Sequence, residues 1–219
     1  MKVLILCLIA LCGLVESSVV VCDFKEDAKY GYKCLVKFMK ITSKDNQTIT
    51  EVIGEHLAER DNSDVKYFKS VNDIVKYFPL EIGTFFNNLE HVSFNSARIS
   101  EIHSSDLQQF GSKLKTLLLS DNAITILEED LFQFNPNLEK IVLNSNEIRH
   151  IEDGTFRGLE KLSDLYITDG DQCINRYATN RDNVIDLIDA AELNCKDYTY
   201  MLKKYQEKTQ AQLDEFRAK

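Results

Sequence analysis

Apolar residues in the middle of the chain recur with a near-constant step. Segments beginning at Val65, Leu89, Leu114, Leu138 and Leu162 are separated by 24, 25, 24 and 24 residues. Within each segment the apolar positions are offsets 0, 3 and 5. Leu114, Leu117 and Leu119 lead to Asn122, Ile124 and Leu127. Leu138, Ile141 and Leu143 lead to Asn146, Ile148 and Ile151. Leu89, Val92 and Phe94 lead to Ala97, Ile99 and Ile102, and the fifth segment opens with Leu162, Leu165 and Ile167. The first segment is degenerate, with Val65, Phe68, Ser70, Val75 and Phe78. A second apolar group closes each complete unit: Phe86, Leu107 with Phe110, Leu131 with Phe132, and Phe156 with Leu159. An LxL triplet reads as a short strand whose alternate side chains point inward. Stacked in parallel, such strands fill a continuous core. No unit can bury its face alone, so the stack needs neighbours and end caps. The pattern turns Asn122 and Asn146 inward at the strand ends, where a buried amide must be paired with backbone groups. Ala97, Asp73 and Gly170 break the pattern, which predicts a looser second coil with one extra residue near Gly111.

The stretches LKTLLLSDNAITIL and LEKIVLNSNEIRHI fit LxxLxLxxNxI closely. Over about residues 65–170 the chain resembles extracellular leucine-rich-repeat proteins of the 24-residue type, in the style of short secreted insect repeat proteins. The resemblance implies an α/β solenoid of about five coils. Its curved parallel sheet would lie between disulfide-tied caps. It also implies recognition of a protein, peptide or glycan ligand by the concave strand face, in innate immunity or cell-surface recognition.

The ends divide accordingly. Residues 1–17 combine Lys2 with an apolar run from Val3 to Val15, and Val15 and Ser17 suit a cleavage site after Ser17. The run is shorter than the roughly 20 apolar residues of a membrane span. No later run reaches that length, and the charged LDEFRAK terminus is no lipid-anchor signal. A secreted, extracellular protein is expected. Removing this leader removes Cys7 and Cys12 and leaves Cys22, Cys34, Cys173 and Cys195. Three pairings are possible. If the stretch between is an elongated stack, its ends lie too far apart to bridge, because disulfide Cα atoms approach within about 7 Å. That leaves Cys22–Cys34 and Cys173–Cys195. The rival metal or redox reading lacks any CxxC or a Cys near a His at ligand spacing.

Residues 18–64 read as the N-terminal cap, with residues 34–53 forming a hairpin around SKDNQ. Asn46 heads the sole N-x-S/T sequon, in an expected surface turn, and is the candidate glycosylation site. Residues 171–196 read as the C-terminal cap. Val184, Leu187, Ile188 and Ala191 share one helical face there, with Asp182 or Asn183 as the helix cap. Residues 197–219 place Tyr198, Leu202, Tyr205, Thr209, Leu213 and Phe216 at steps of 4, 3, 4, 4 and 3. This weak seam reads either as a pairing segment for a homo- or heterodimer or as a solvated helix that folds back.

Composition narrows the chemistry. The net charge is −9, with 26 basic and 35 acidic residues, which disfavours nucleic-acid binding. No HExxH, GxSxG or phosphate loop occurs, and His91 and His150 fall in different repeats at different offsets. Asp169-Gly170-Asp171 lacks the remaining ligands of a Ca²⁺ loop and reads as a cap turn. The chain is therefore expected to be no enzyme and to use no metal or cofactor.

The outward side chains of the strands form the candidate site. The offset-1 column is Lys66, Glu90, Lys115, Glu139 and Ser163, whose alternating charges can neutralise one another. The offset-2 column is Tyr67, His91, Thr116, Lys140 and Asp164. At offset 4, Leu118, Val142 and Tyr166 form an apolar stripe on a face that should meet water, the mark of a contact site unless a loop or the tail covers it. The offset-6 and offset-7 columns are mainly Asn, Ser, Asp and Thr. Ligand contacts are assigned to Tyr67, His91, Lys140, Asp164, Leu118, Val142 and Tyr166.

Overall fold

The computed structural model describes residues 18–168 and 173–217. The leader, the 169–171 turn and the last two residues lie outside that range. In chain order the strands are β1 (Ser18–Asp27), β2 (Gly31–Phe38), β3 (Lys40–Ile41), β4 (Ile49–Ile53), β5 (Tyr67–Val71) and β6 (Ile74–Val75). They continue with β7 (His91–Asn95), β8 (Thr116–Leu118), β9 (Ile126–Leu127), β10 (Lys140–Val142), β11 (His150–Ile151), β12 (Asp164–Thr168) and β13 (Asn175–Ala178). Helices α1 (Ile82–Phe85) and α2 (Ser104–Gln108) sit in the returns, and α3 (Arg181–Asn194) and α4 (Tyr198–Arg217) end the chain.

One nine-stranded sheet runs in the order β13-β12-β10-β8-β7-β5-β2-β1-β4. From β2 to β12 every pair is parallel. The strand starts match in register, Tyr67 beside His91, Thr116, Lys140 and Asp164. The inward residues at offsets 0, 3 and 5 are buried in one contiguous core. Each fully buried Leu or Ile contributes about 1.5–3 kcal/mol relative to exposure.

Backbone geometry explains the polar columns that follow each strand. Asn72, Ser96, Asp121 and Ser145, one per coil at offset 7, have φ of 61°, 56°, 57° and 54°. The chain turns there through a left-handed residue, a conformation that Asn and Asp tolerate best among residues with a side chain. The same N–H groups donate to the next coil: Ser96 to Ser120 O (2.9 Å), Asp121 to Asn144 O (2.9 Å) and Ser145 to Thr168 O (3.0 Å). The offset-7 residues therefore build the turn.

Buried amides then close the coils. Asn122 Oδ1 accepts the Ala97 and Ile99 N–H groups at 3.1 and 3.0 Å, while its Nδ2 donates to Phe94 O at 2.7 Å. Asn146 Oδ1 accepts Ile124 N–H at 3.1 Å, and Nδ2 donates to Leu119 O at 2.9 Å. Ala97 has no amide, yet the coil before it is not left open. The Ala97 backbone carbonyl accepts Val75 N–H at 2.9 Å, the bond that Asn Oδ1 makes at the equivalent Ile99 and Ile124. Asp73 serves the first coil by accepting Met39 N–H at 3.1 Å and the Ser70 hydroxyl at 2.6 Å.

The N-terminal cap corrects the expected hairpin. Residues 34–53 do not pair with one another. The antiparallel hairpin is β1 with β2, and β4 runs parallel to the far edge of β1. The tight turn is at 28–30, where Asp27 Oδ1 accepts the Lys29 and Tyr30 N–H groups and Gly31 has φ 78°. Segment β2–β3 takes the register of an added coil, Lys33 beside Tyr67 and Ile41 beside Val75. Cys22 and Cys34 bridge the hairpin with Cα atoms 5.1 Å apart. At the other end Cys173 joins Cys195, just past α3, at 4.9 Å. Val184, Leu187 and Ala191 bury the predicted face of α3. Its cap is Asn180, whose side chain accepts Asn183 N–H at 3.0 Å, in place of the expected Asp182 or Asn183. Strand β13 was not anticipated. It turns back antiparallel on β12 and sets Tyr177 beside Tyr166.

Candidate functional site

The outward face of the parallel strands divides into a closed half and an open half. In the first half the hairpin turn brings Tyr30 over the sheet. Its ring centroid lies 5.0 Å from Tyr67 and 4.5 Å from His91. Tyr67 is buried, and burial pushes its phenol up to about 12. Burial also lowers His91 to about 4, and its Nδ1 has no hydrogen-bond partner. Tyr67 and His91 therefore do not stand as open ligand contacts: Tyr67 belongs to an aromatic cluster, and His91 is packed against it as a neutral ring. Asp27 anchors the covering turn. The Lys33 ammonium at 2.7 Å, aided by the Lys29 and Tyr30 N–H groups, holds its carboxyl at about 2.

In the second half, Leu118, Val142 and Tyr166 lie side by side in register, each half-buried. Tyr177 extends the row. Its ring stacks on Tyr166 at 5.6 Å and an interplanar angle of 6°, and the residue is 66% exposed. Lys140 Nζ sits 4.6 Å from the Tyr166 ring centroid and 3.7 Å from Asp164 Oδ1. Tyr166 is thus fixed between an ammonium and a second ring. Aromatic anchors immobilised before contact lose little entropy on binding. The offset-1 column is neutralised as expected along its first part: Glu90 bridges Lys115 at 2.6 Å and Lys66 at 3.1 Å, and these lysines hold its carboxyl below the usual range.

The tail does not cover this face. It is rooted beside β11, where buried His150 accepts Asp197 N–H at Nδ1 (3.1 Å) and packs its ring 4.9 Å from Tyr200. Glu152 accepts the Tyr200 hydroxyl at 3.2 Å, the Glu129 N–H at 3.0 Å and the Lys204 ammonium. A groove of about 320 Å³ lies between this root and the body, lined by Glu152, Asp153, Lys196, Tyr200 and Lys204 among others. Every residue from Met201 to Arg217 is exposed.

Asn46 is a second correction. It lies in a 3-10 turn as a buried residue, 7% exposed, its Oδ1 accepting the Thr42 and Ser43 N–H groups. The Ser18 hydroxyl donates to its carbonyl. A glycan there requires this turn to open, contrary to the expected surface position.

The remaining histidines also have structural partners. His56 stacks on Phe24 at 3.8 Å and contacts the Tyr32 hydroxyl at 3.1 Å, and His103 faces Glu128 at 3.1 Å. Among the described residues no group of three His, Cys, Asp or Glu is disposed to hold a metal ion, and no helix is long and apolar enough to cross a membrane.

The leucine-rich-repeat family model matches residues 112–170, which span the two best coils and β12. The fold is a leucine-rich-repeat solenoid. No curated protein matches the chain. Among solved structures it is similar to a chain of the Toll–Spätzle complex, described as a hub in Drosophila development and innate immunity. That likeness has a TM-score of 0.46 and 14% identity, and covers 58% of this chain and 18% of that one.

The sequence brought out five of the residues now in or beside the open half, Leu118, Val142, Tyr166, Lys140 and Asp164. It missed Tyr177. Asn-Arg-Tyr-Ala at 175–178 carries no apolar-polar alternation, and four residues are too few to separate a strand from a loop.

Proposed function

We propose that the protein is a secreted binding protein that recognises an extracellular protein, peptide or glycan through the open half of its concave strand face. The row Leu118, Val142, Tyr166 and Tyr177 carries this reading. Four adjacent apolar side chains on a polar-rimmed sheet, left uncovered by cap and tail, have the make-up of an interface centre. Leucine-rich-repeat scaffolds generally bind proteins, and no catalytic constellation competes with that role among the described residues. Secretion is supported by the two disulfides, which persist in oxidising compartments, and by the leader-like residues 1–17. A role in innate immunity or cell-surface recognition rests on the resemblance of the repeats.

The test is Leu118→Asp. A charge in the middle of the row should weaken capture of the partner by about thirtyfold or more, as loss of an interface anchor does. Leu118 is half-exposed, so the thermal unfolding midpoint should stay near that of the parent. A variant that folds normally and retrieves the same proteins from extracellular fluid as well as the parent removes the concave-face reading.

A second reading has its own observation. The apolar seam of α4 is left in water, with Leu202 at 59%, Tyr205 at 69% and Phe216 at 80% exposure. This favours assembly through the tail, with another copy or with a different chain.

A further inference from the structure

The open row on the concave face continues, in the other direction, into a cation. Pairing in register sets Lys69 beside Ser93, Ser93 beside Leu118, Leu118 beside Val142, Val142 beside Tyr166, and Tyr166 beside Tyr177. This part of the line therefore reads a half-buried ammonium, a fully buried hydroxyl, then four apolar side chains. The other lysines of the concave columns each sit on a carboxylate: Lys33 on Asp27, Lys66 and Lys115 on Glu90, and Lys140 on Asp164. Lys69 makes no ion pair among the described residues. Beyond it the same line runs on through Leu35 to Asp23, whose carboxylate is taken by Lys25 and Lys37. Lys69 is partly shielded by its neighbours, in a chain whose net charge is −9.

Building on the concave-face reading, we propose that this row selects a peptide segment carrying both apolar side chains and an acidic one, the carboxylate seated on Lys69. Neighbouring strands are about 4.8 Å apart. Two strand steps separate Lys69 from Leu118, a distance of roughly 10 Å that about three residues of extended chain span. The occupant is thus a short segment with an Asp or Glu about three residues from the first of two or more large apolar residues. The apolar side chains meet Leu118, Val142 and the Tyr166–Tyr177 stack. The carboxylate supplies the counter-charge that no residue of the described chain provides. An ammonium in a partly shielded place pairs more strongly than one free in water. A neutral glycan satisfies the aromatic end of the row and leaves Lys69 unmatched.

The experiment is selection of a random linear peptide library on the mature, disulfide-bonded protein. Clones whose binding is lost with Leu118→Asp are kept. These clones should share an apolar pair with an acidic residue at a fixed spacing. Their affinity should fall about tenfold or more with Lys69→Glu, as expected when a charge-assisted contact is reversed. Lys66→Glu makes the same change in net charge on a lysine already paired with Glu90, and should have little effect. Replacing the peptide's acid by Lys should restore binding to the Lys69→Glu protein. Retained clones without an acidic residue, or equally weakened by both lysine substitutions, would overturn the assignment while leaving the concave face as the site. If no clone depends on Leu118, the concave-face reading fails, and this inference with it. Circular dichroism melts of each variant separate lost recognition from lost structure.

Discussion

At the scale of single residues, the buried amides decide whether the coils close. Asn122 satisfies two backbone N–H groups and donates to the Phe94, Leu119 and Ser120 carbonyls. Apart from the part-buried Ser120 carbonyl, these groups are buried once the core is packed. Asn122→Ala should therefore cost roughly 3 kcal/mol, since each buried group left unpaired costs about 1–3 kcal/mol. Asn95→Ala removes one half-exposed acceptor for Ser120 N–H and should cost about 1 kcal/mol or less. Urea unfolding with an unchanged slope measures both, and equal midpoints would deny the closing role. The role of Asn122 was readable from its place after the LxL triplet. The repair at Ala97 was not. A backbone carbonyl has no side-chain identity, so its substitution for an Asn oxygen leaves no trace in the sequence. Asn46 failed for a related reason. Its sequon fixes the residue types but says nothing of the local bonds that turn the side chain inward.

At the scale of elements, period decided what was legible. A step near 24 residues, taken four times between five segments, identifies the parallel strands, because each must present the same face to the same core. The caps have no such repetition. Extended chain on either side of SKDNQ was legible, and it falls within β2, β3 and β4, yet the partners of these strands are set by distant packing. The turn that joins β1 to β2 is the one with a positive-φ glycine, at Gly31. The tail shows the same division. Its helix and seam were visible, while its anchorage to His150 and Glu152 spans some fifty positions, as in the Tyr200–Glu152 bond at a separation of 48. An isolated helix of this size is marginal in water. Its ties to the body at Asp197, Tyr200 and Lys204 all lie at its root. Removal of residues 205–219 should leave the unfolding midpoint of the solenoid unchanged within about 2 °C. If the seam pairs two copies, light scattering should report a dimer for the full mature chain and a monomer for the truncated one. A monomer in both cases ends the self-pairing reading and leaves the concave face as the recognition surface.

For the whole molecule, the continuous core couples local titrations to global stability. His91 has a folded value near 4 against about 6.5 in an unfolded chain, because burial beneath Tyr30 disfavours its charged form. Between those values the unfolded state binds more protons, so this group contributes stability at neutral pH that is lost progressively as pH falls from about 7 to 4. His150, also lowered by burial, acts in the same direction. Other groups oppose it. For His103 burial lowers the ring, but Glu128 together with Asp106 and Glu101 outweighs it and raises the ring, and burial raises Asp73, Asp106 and Glu192. The net profile of the parent therefore mixes signs, and only a difference isolates His91. In His91→Gln the opposing groups remain and the lost titration is the sole change of charge. Its unfolding free energy should fall less steeply than the parent's across that window, the two slopes differing by less than about 1.4 kcal/mol per pH unit because the ring is only partly shielded. Parallel profiles for the two proteins would mean that His91 titrates alike in the folded and unfolded chains. The Tyr30 turn would then stand open in solution, and the concave face would extend across both halves of the sheet.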